Sequence, residues 1–151
     1  MKLEDRIYLN ASKKQVWDAL NDALTLKECI PGCSSLTGST DAGFEAVVSQ
    51  KIGPVNATFR GNIKISDIVS ETSYKISGEG KGGAAGFAKG NAVVKLKEVD
   101  GNTDLFYFVE ARVGGRLAQI GSRLIDGFAK KLAKKFFENF KKQLEEKSNN
   151  G

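Results

Sequence analysis

The chain has 151 residues, 40% hydrophobic and 27% charged, with a formal net charge of +5 and a sequence pI of about 9.2; this describes one domain, long enough for a real core, with a mildly basic surface. It contains no histidine, which excludes Ser-His-Asp and Cys-His catalysis and any histidine-ligated metal, and leaves acid–base chemistry to Asp, Glu, Lys, Tyr or Cys. No apolar run is long enough to span a bilayer, and the stretch Met1–Asn10 has acids and no apolar core, unlike a secretory signal, so a cytoplasmic location is expected.

Residues Leu3 to Asn10 alternate, with Leu3, Ile7 and Leu9 on one side and Glu4, Arg6 and Tyr8 on the other, the pattern of a half-buried strand. Ser12 with Gln15 three residues on predicts a capping box and a helix whose apolar side is Val16, Trp17 and Leu20. A second short helix is expected over Ala23 to Cys29, stopped by Pro31-Gly32. The two cysteines, Cys29 and Cys33, are separated by three residues, which is not the CxxC redox spacing. Two thiols are too few for a structural zinc, and reduced thiols around a turn are expected.

From Ser34 to Val113 the period is two, interrupted by turn signals at Thr40–Gly43, Gly53-Pro54, Ser70–Ser73 and Asp100–Asn102, an antiparallel meander. Alternation sends Phe44, Val48, Phe59, Tyr74, Ile76 and Tyr107 inward. Phe106 and Phe108 fall outward and, with Tyr8 beside them, would form an aromatic patch for a partner. The stretch Ser77–Gly90, SGEGKGGAAGFAKG, is not a phosphate-binding loop, since it lacks GxxxxGK[ST] and a following long helix. Its glycines imply a bend in the sheet or space for a ligand, with Ala84–Phe87 as a lip.

The C-terminal stretch Gly115–Glu146 carries the strongest helical pattern. Leu117, Ile120, Leu124, Phe128, Leu132, Phe136, Phe140 and Leu144 recur at three- and four-residue steps, predicting one helix of roughly 45 Å at 1.5 Å per residue. Arg116, Arg123, Lys130, Lys134 and Lys141 fall in a narrow arc on another side. A helix this long needs a sheet to bury its apolar face. The space between the two is where function is expected.

CIPGC at Cys29–Cys33, IGPV at Ile52–Val55, GEGKGGAAGFAKG at Gly78–Gly90 and VGGRLAQIGSRLID at Val113–Asp126 resemble the G-subunit family of carbon monoxide dehydrogenase, over about residues 1 to 145. That family lies within the START and polyketide-cyclase-like (SRPBCC) superfamily. The resemblance implies an α+β helix-grip fold: a seven-stranded curved antiparallel sheet wrapped round the long C-terminal helix, with two short helices after the first strand. Residues 1–147 would form a single ligand-binding domain and 148–151 a polar tail. It further implies a deep apolar cavity, a molybdenum-containing carbon monoxide dehydrogenase or related hydroxylase as partner, and a quinone-like lipid as ligand. Peripheral contact with the inner face of the cytoplasmic membrane is also implied. Some members carry a further C-terminal membrane segment; this sequence ends at Gly151 without one, and stable anchoring by this chain alone is not expected.

The leading expectation is a non-enzymatic accessory protein that binds an isoprenoid quinone or fatty-acyl molecule, with no covalent cofactor and no metal. Trp17 from the first helix and Phe44, Val48, Phe59, Ile76 and Tyr107 from the strands are the candidate wall. Gly83 would leave room beside the lip, Gly86 and Phe87 would belong to the lip, and Leu117, Ile120, Leu124 and Phe128 would form the helix side. Tyr74 and Tyr107 would offer hydroxyls to a carbonyl head. Arg116, Arg123, Lys130, Lys134 and Lys141 are the candidate surface for anionic lipid or an acidic enzyme. A cyclase- or hydrolase-like enzyme is the alternative, weakened because Glu45, Asp67, Glu79 and Glu110 fall mostly on the water side and no acid pair faces the cavity. A pure protein–protein adaptor is another. Nucleic-acid binding is not expected, because no recognition motif accompanies the charge.

Overall fold

Period-two patterning and the turn residues lay out the sheet. In the computed structural model the strands are β1 (Lys2–Leu9), β2 (Cys33–Ser39), β3 (Gly43–Ile52), β4 (Val55–Val69), β5 (Ser73–Lys81), β6 (Phe87–Val99) and β7 (Asn102–Gly114). Helices α1 (Lys13–Leu20) and α2 (Ala23–Cys29) follow β1, and α3 (Arg116–Gln119) and α4 (Ser122–Asn150) follow β7. The structure describes the backbone of residues 1–150 and the side chains of residues 1–147; Gly151 of the expected polar tail lies outside them. All seven strands form one antiparallel sheet in the order β1-β7-β6-β5-β4-β3-β2, a meander from β2 to β7 with β1 added beside β7. Each predicted turn closes a hairpin. At Asp100-Gly101 both residues have positive φ, 53° and 82°, as a tight two-residue hairpin turn requires.

The capping box starts α1. The Gln15 N–H donates to Ser12 Oγ at 3.2 Å, and the Gln15 carboxamide oxygen accepts from the Ser12 N–H at 2.9 Å. Asp22 caps α2 in a similar way, accepting from the Thr25 N–H at 3.2 Å. Both cysteines are free thiols.

The C-terminal helix differs from the single rod that the periodicity predicts. The chain forms one short turn, α3, breaks at Ile120-Gly121, where Gly121 has φ +93°, and restarts as α4. A left-handed residue ends a right-handed helix, and glycine takes that conformation without a Cβ penalty. The apolar spacing runs through the break because Leu117, Ile120, Ile125 and Phe128 all join one cluster.

Two polar contacts tie α4 to α2. Asn139 Nδ2 donates to the Cys29 carbonyl at 3.0 Å, and Lys147 Nζ donates to Thr25 Oγ1 at 2.5 Å, with Asp22 Oδ2 at 3.5 Å. The core divides into three clusters. The largest joins β1, α1, α2 and the C-terminal half of α4 around Leu9, Val16, Leu105 and Phe140. A second gathers Ile52, Val55, Ala85, Leu117 and Ile125 at the opposite end of α4. The third holds Leu36, Phe44 and Ala46 under α2.

Candidate ligand site between sheet and helix

The register of the sheet defines the inner face row by row. One row runs Ala46, Gly61, Gly80, Ala88, Val113, and the next runs Phe44, Ile63, Gly78, Gly90, Ala111. Seven glycines and alanines thus lie together on the five adjacent strands β3 to β7 and make a floor almost without side chains. On either side the rows are bulkier: Val48 opposite Phe59 in one direction, and Ile65, Ile76, Ala92, Val109 in the other. The apolar residues around this floor are half-buried, among them Phe59, Ile63, Ile76, Ala88, Ala92 and Val113. So are Phe128, Leu132 and Phe136 of α4. Leu132, Ala88 and Ala92 join none of the three core clusters. A core packed to its usual density would close over such residues; here the middle of the inner face remains accessible.

Two of the floor glycines are free of any backbone demand. Gly78 and Gly80 have no left-handed φ, and a Cβ there would meet its nearest neighbours at 3.5 Å and 3.7 Å, ordinary contact distances. Glycine in a strand costs stability and packs nothing, so these two keep space open without being needed for the fold. Gly90 differs: a Cβ there would stand 2.7 Å from the Glu110 carbonyl oxygen.

The two ends of the chamber carry different chemistry. At the α1–α2 end lies the row Tyr74, Val94, Tyr107, Asp5. Trp17 packs edge-on to Tyr74 with ring centroids 5.3 Å apart, and Tyr107 stacks on Phe137 at 5.3 Å. Burial raises the Tyr74 and Tyr107 hydroxyls above the ordinary phenol range, and the nearby Asp5 carboxylate adds to the rise at Tyr107. Both hydroxyls therefore stay protonated as donors. Neither makes a side-chain hydrogen bond to the described residues, and neither oxygen is completely enclosed. Asp5 was not anticipated on the inner face. It occupies an inner position on the edge strand, stays exposed, and accepts from the Arg6 N–H at 2.8 Å.

At the other end the β3–β4 hairpin faces α3 and the start of α4 across a groove of about 590 Å³. Ile120, Leu124 and Phe128 supply its apolar lining, and Lys51, Arg123 and Lys131 its charge, with Gly53 and Gly127 between them. Leu124 is 44% exposed and lies over Gly53.

The anticipated wall residues divide between these regions. Val48, Phe59 and Ile76 border the floor, and Trp17 and Tyr107 form the closed end. Phe44 is buried in the cluster under α2. Leu117, Ile120 and Phe128 belong to the cluster at the mouth, while Leu124 lies at its edge. The two candidate site glycines of this stretch, Gly83 and Gly86, serve differently. Gly83, at φ +58°, has nothing within 4 Å of a Cβ, whereas Gly86, at φ +109°, would drive one into the Gly114 carbonyl oxygen. Gly86 thus holds the Gly83–Ala85 turn against the end of β7. Phe87, 39% exposed, lies on the water side over Gly114. Of the floor glycines, Gly78, Gly80 and Gly90 lie in the stretch whose glycines imply space for a ligand, and the register adds Gly61 of β4, which the sequence does not single out.

All five residues of the expected basic stripe are exposed. The break at Gly121 separates Arg116, on α3, from the other four on α4. The outward aromatic patch is also interrupted: β1 places Arg6 opposite Phe106, Glu4 opposite Phe108, and Tyr8 opposite Asp104. The Arg6 guanidinium lies 5.6 Å from the Phe106 ring centroid. Among the described residues no group of three acidic, Cys or His side chains is placed to hold a metal, and no helix is long and apolar enough to cross a membrane.

A curved seven-stranded antiparallel sheet gripping a long C-terminal helix, with two short helices after the first strand, defines a helix-grip protein of the START-like class. The chain is similar to a conserved protein from Geobacillus kaustophilus, at 32% identity over 97% of this chain and 96% of that one, with a TM-score of 0.89. The same fold recurs in an uncharacterised protein from Rhizobium leguminosarum (16% identity, 97% and 95% covered, TM-score 0.74). It recurs again in a protein from Thermus thermophilus (10% identity, 98% and 99% covered, TM-score 0.73). No curated protein matches by sequence. The family model for the carbon monoxide dehydrogenase G-subunit (CoxG) matches residues 6–145, and the chain belongs to that family. Membership suggests an accessory protein associated with carbon monoxide dehydrogenase; the name denotes an accessory component, not a catalytic one.

Proposed function

We propose that this protein is a non-enzymatic carrier or adaptor whose chamber binds a long apolar molecule, an isoprenoid quinone or a fatty-acyl chain. In this reading it serves a carbon monoxide dehydrogenase or related molybdenum hydroxylase. The observation that carries the reading is the glycine–alanine floor, and in it Gly78 and Gly80, where a Cβ would fit at ordinary contact distances. A tail that buries about 300 Å² of apolar surface gains about 7 kcal/mol at roughly 25 cal/mol per Å², before the cost of ordering it. The Tyr74 and Tyr107 hydroxyls supply the hydrogen-bond donors that a carbonyl head would use. The non-catalytic reading is supported by the acids: Asp5, the inner-face carboxylate of β1, is exposed and paired with a backbone N–H, and its cross-strand neighbour Tyr107 is held protonated rather than poised to exchange a proton near neutral pH. The exposed cations Arg123, Lys130, Lys134 and Lys141 give α4 a surface for an acidic enzyme or anionic lipid, which links the carrier to its partner or to the inner face of the cytoplasmic membrane.

Native mass spectrometry of the purified protein, followed by organic extraction, tests the binding. A co-purifying quinone or fatty acid, or uptake of added menaquinone, is the expected result. An empty protein that refuses both overturns the carrier reading. Reversal of Lys130, Lys134 and Lys141 to Glu should abolish attachment to the enzyme or to anionic vesicles; unchanged attachment returns these lysines to a solvated face.

A further inference from the structure

We propose that the groove at the chamber mouth binds the anionic head of a single-chain amphiphile, and so selects a long-chain carboxylate over uncharged ligands. The inference rests on the carrier reading and names the ligand class within it. Three observations carry it. The groove's charged lining is entirely cationic, Lys51 from the β3–β4 hairpin and Arg123 and Lys131 from α4, with no acidic side chain among its residues. Its apolar lining continues into the chamber, because Ile120 and Phe128 also pack in the cluster with Ile52, Val55 and Leu117. A head group held by the cations would thus have its chain start on Phe128 and run inward over the glycine floor.

Gly127 supplies the third observation. It lies inside α4, where glycine is unfavourable, yet a Cβ there would have no neighbour within 4 Å. Nothing in the protein's own packing requires a glycine at this place. It leaves the wall of the groove bare, as a ligand passing between the helix and the hairpin requires. All three cations are exposed, so each contributes modestly and all are screened by salt.

The test compares myristate with tetradecanol, which shares its chain and lacks its charge, on the wild-type protein and on a Lys51→Ala/Arg123→Ala/Lys131→Ala variant. These side chains lie at the surface, and the variant should fold normally. Wild type should bind myristate roughly tenfold tighter than tetradecanol at low salt, the scale of three exposed charge contacts. That preference should shrink as ionic strength rises from about 0.01 M to about 1 M, where the screening length falls from roughly 30 Å to 3 Å. The variant should bind both compounds equally, at the tetradecanol affinity. Equal affinities in wild type overturn the proposal and leave the carrier reading standing, and a preference that survives in the variant overturns the assignment to this groove. Failure to bind either compound, or binding only to phosphatidylglycerol vesicles with no uptake of free myristate, overturns the proposal; the first of these removes the carrier reading too.

Discussion

The two ends of α4 are built for different purposes. Toward its C-terminal end, Phe136, Phe137 and Phe140 pack on one another and Phe137 on Tyr107, Phe140 is completely buried, and Asn139 and Lys147 tie the helix to α2. Toward its N-terminal end, Leu124 is exposed, Gly121 breaks the helix, Gly127 leaves its side bare, and the opposing hairpin turns on Gly53. One end is anchored by aromatic packing and specific polar contacts; the other gives up packing and carries charge. Stability and the proposed ligand access thus occupy opposite ends of one helix, with the glycine floor between them, and substitutions should separate the two roles.

The largest separation is expected at Phe140 and Leu124. Phe140→Ala should lose about 3–5 kcal/mol in urea denaturation, the cost of emptying a closed aromatic site. Leu124→Ala should lose less than about 1 kcal/mol. Equal losses would erase the distinction between the ends.

Glycine-to-alanine substitutions sharpen the contrast at next-smaller scale. Gly86→Ala should cost about 2 kcal/mol or more, because its φ is +109° and a Cβ would strike the Gly114 carbonyl. Gly80→Ala and Gly127→Ala should instead be neutral or raise stability by about 0.5–1 kcal/mol, since neither site presents an obstacle. Melting temperatures measured side by side decide this.

The clamp at Asp22 has a smaller effect with a defined pH dependence. The Thr25 hydroxyl, followed by its N–H and by Lys147, holds the Asp22 carboxyl below its ordinary range against an opposing contribution from burial. A carboxyl with a depressed folded pKa gives stability that is whole above its unfolded value of about 3.9 and drains as pH falls through the folded value. Lys147→Ala should therefore cost no more than about 1 kcal/mol near neutral pH, and the wild type's advantage should diminish at pH below about 4.

The smallest effect concerns the thiols. Burial pushes the Cys29 thiol up to about 11, with Lys147 opposing and Glu28 adding, so it stays protonated and unreactive. Half-buried Cys33 should react with a thiol reagent under native conditions, and Cys29 only on unfolding. Two equally fast reactions would show that the α2 end opens readily.

Much of this organisation was legible in the sequence. Period-two alternation with turns at Thr40, Gly53, Ser70 and Asp100 yields the meander, and Ser12 with Gln15 yields α1 to its first turn. The inward face was legible in the same way: Val48, Phe59, Ile76 and Tyr107 fall inward because a strand has only two faces. Three features were not legible, each because it depends on what lies opposite. The break at Gly121 hides inside an unbroken apolar period, since Leu117 and Ile125 pack in the same cluster on both sides of it. The roles of Gly80 and Gly86 look alike in a glycine-rich run, and only the distance from each to its neighbours separates room from close approach. Tyr8 shares the outward face with Phe106, but a two-residue offset in the β1–β7 register puts Arg6 and Glu4 opposite the phenylalanines.

The central claim is that the floor is bare in order to hold a ligand, and Gly80→Leu tests it most directly. Menaquinone and myristate uptake would be measured by native mass spectrometry beside the melting temperature, with Gly78→Leu as a second position on the same floor. The account predicts proteins that melt no lower than the wild type and take up neither ligand. Folded variants with undiminished uptake would contradict it.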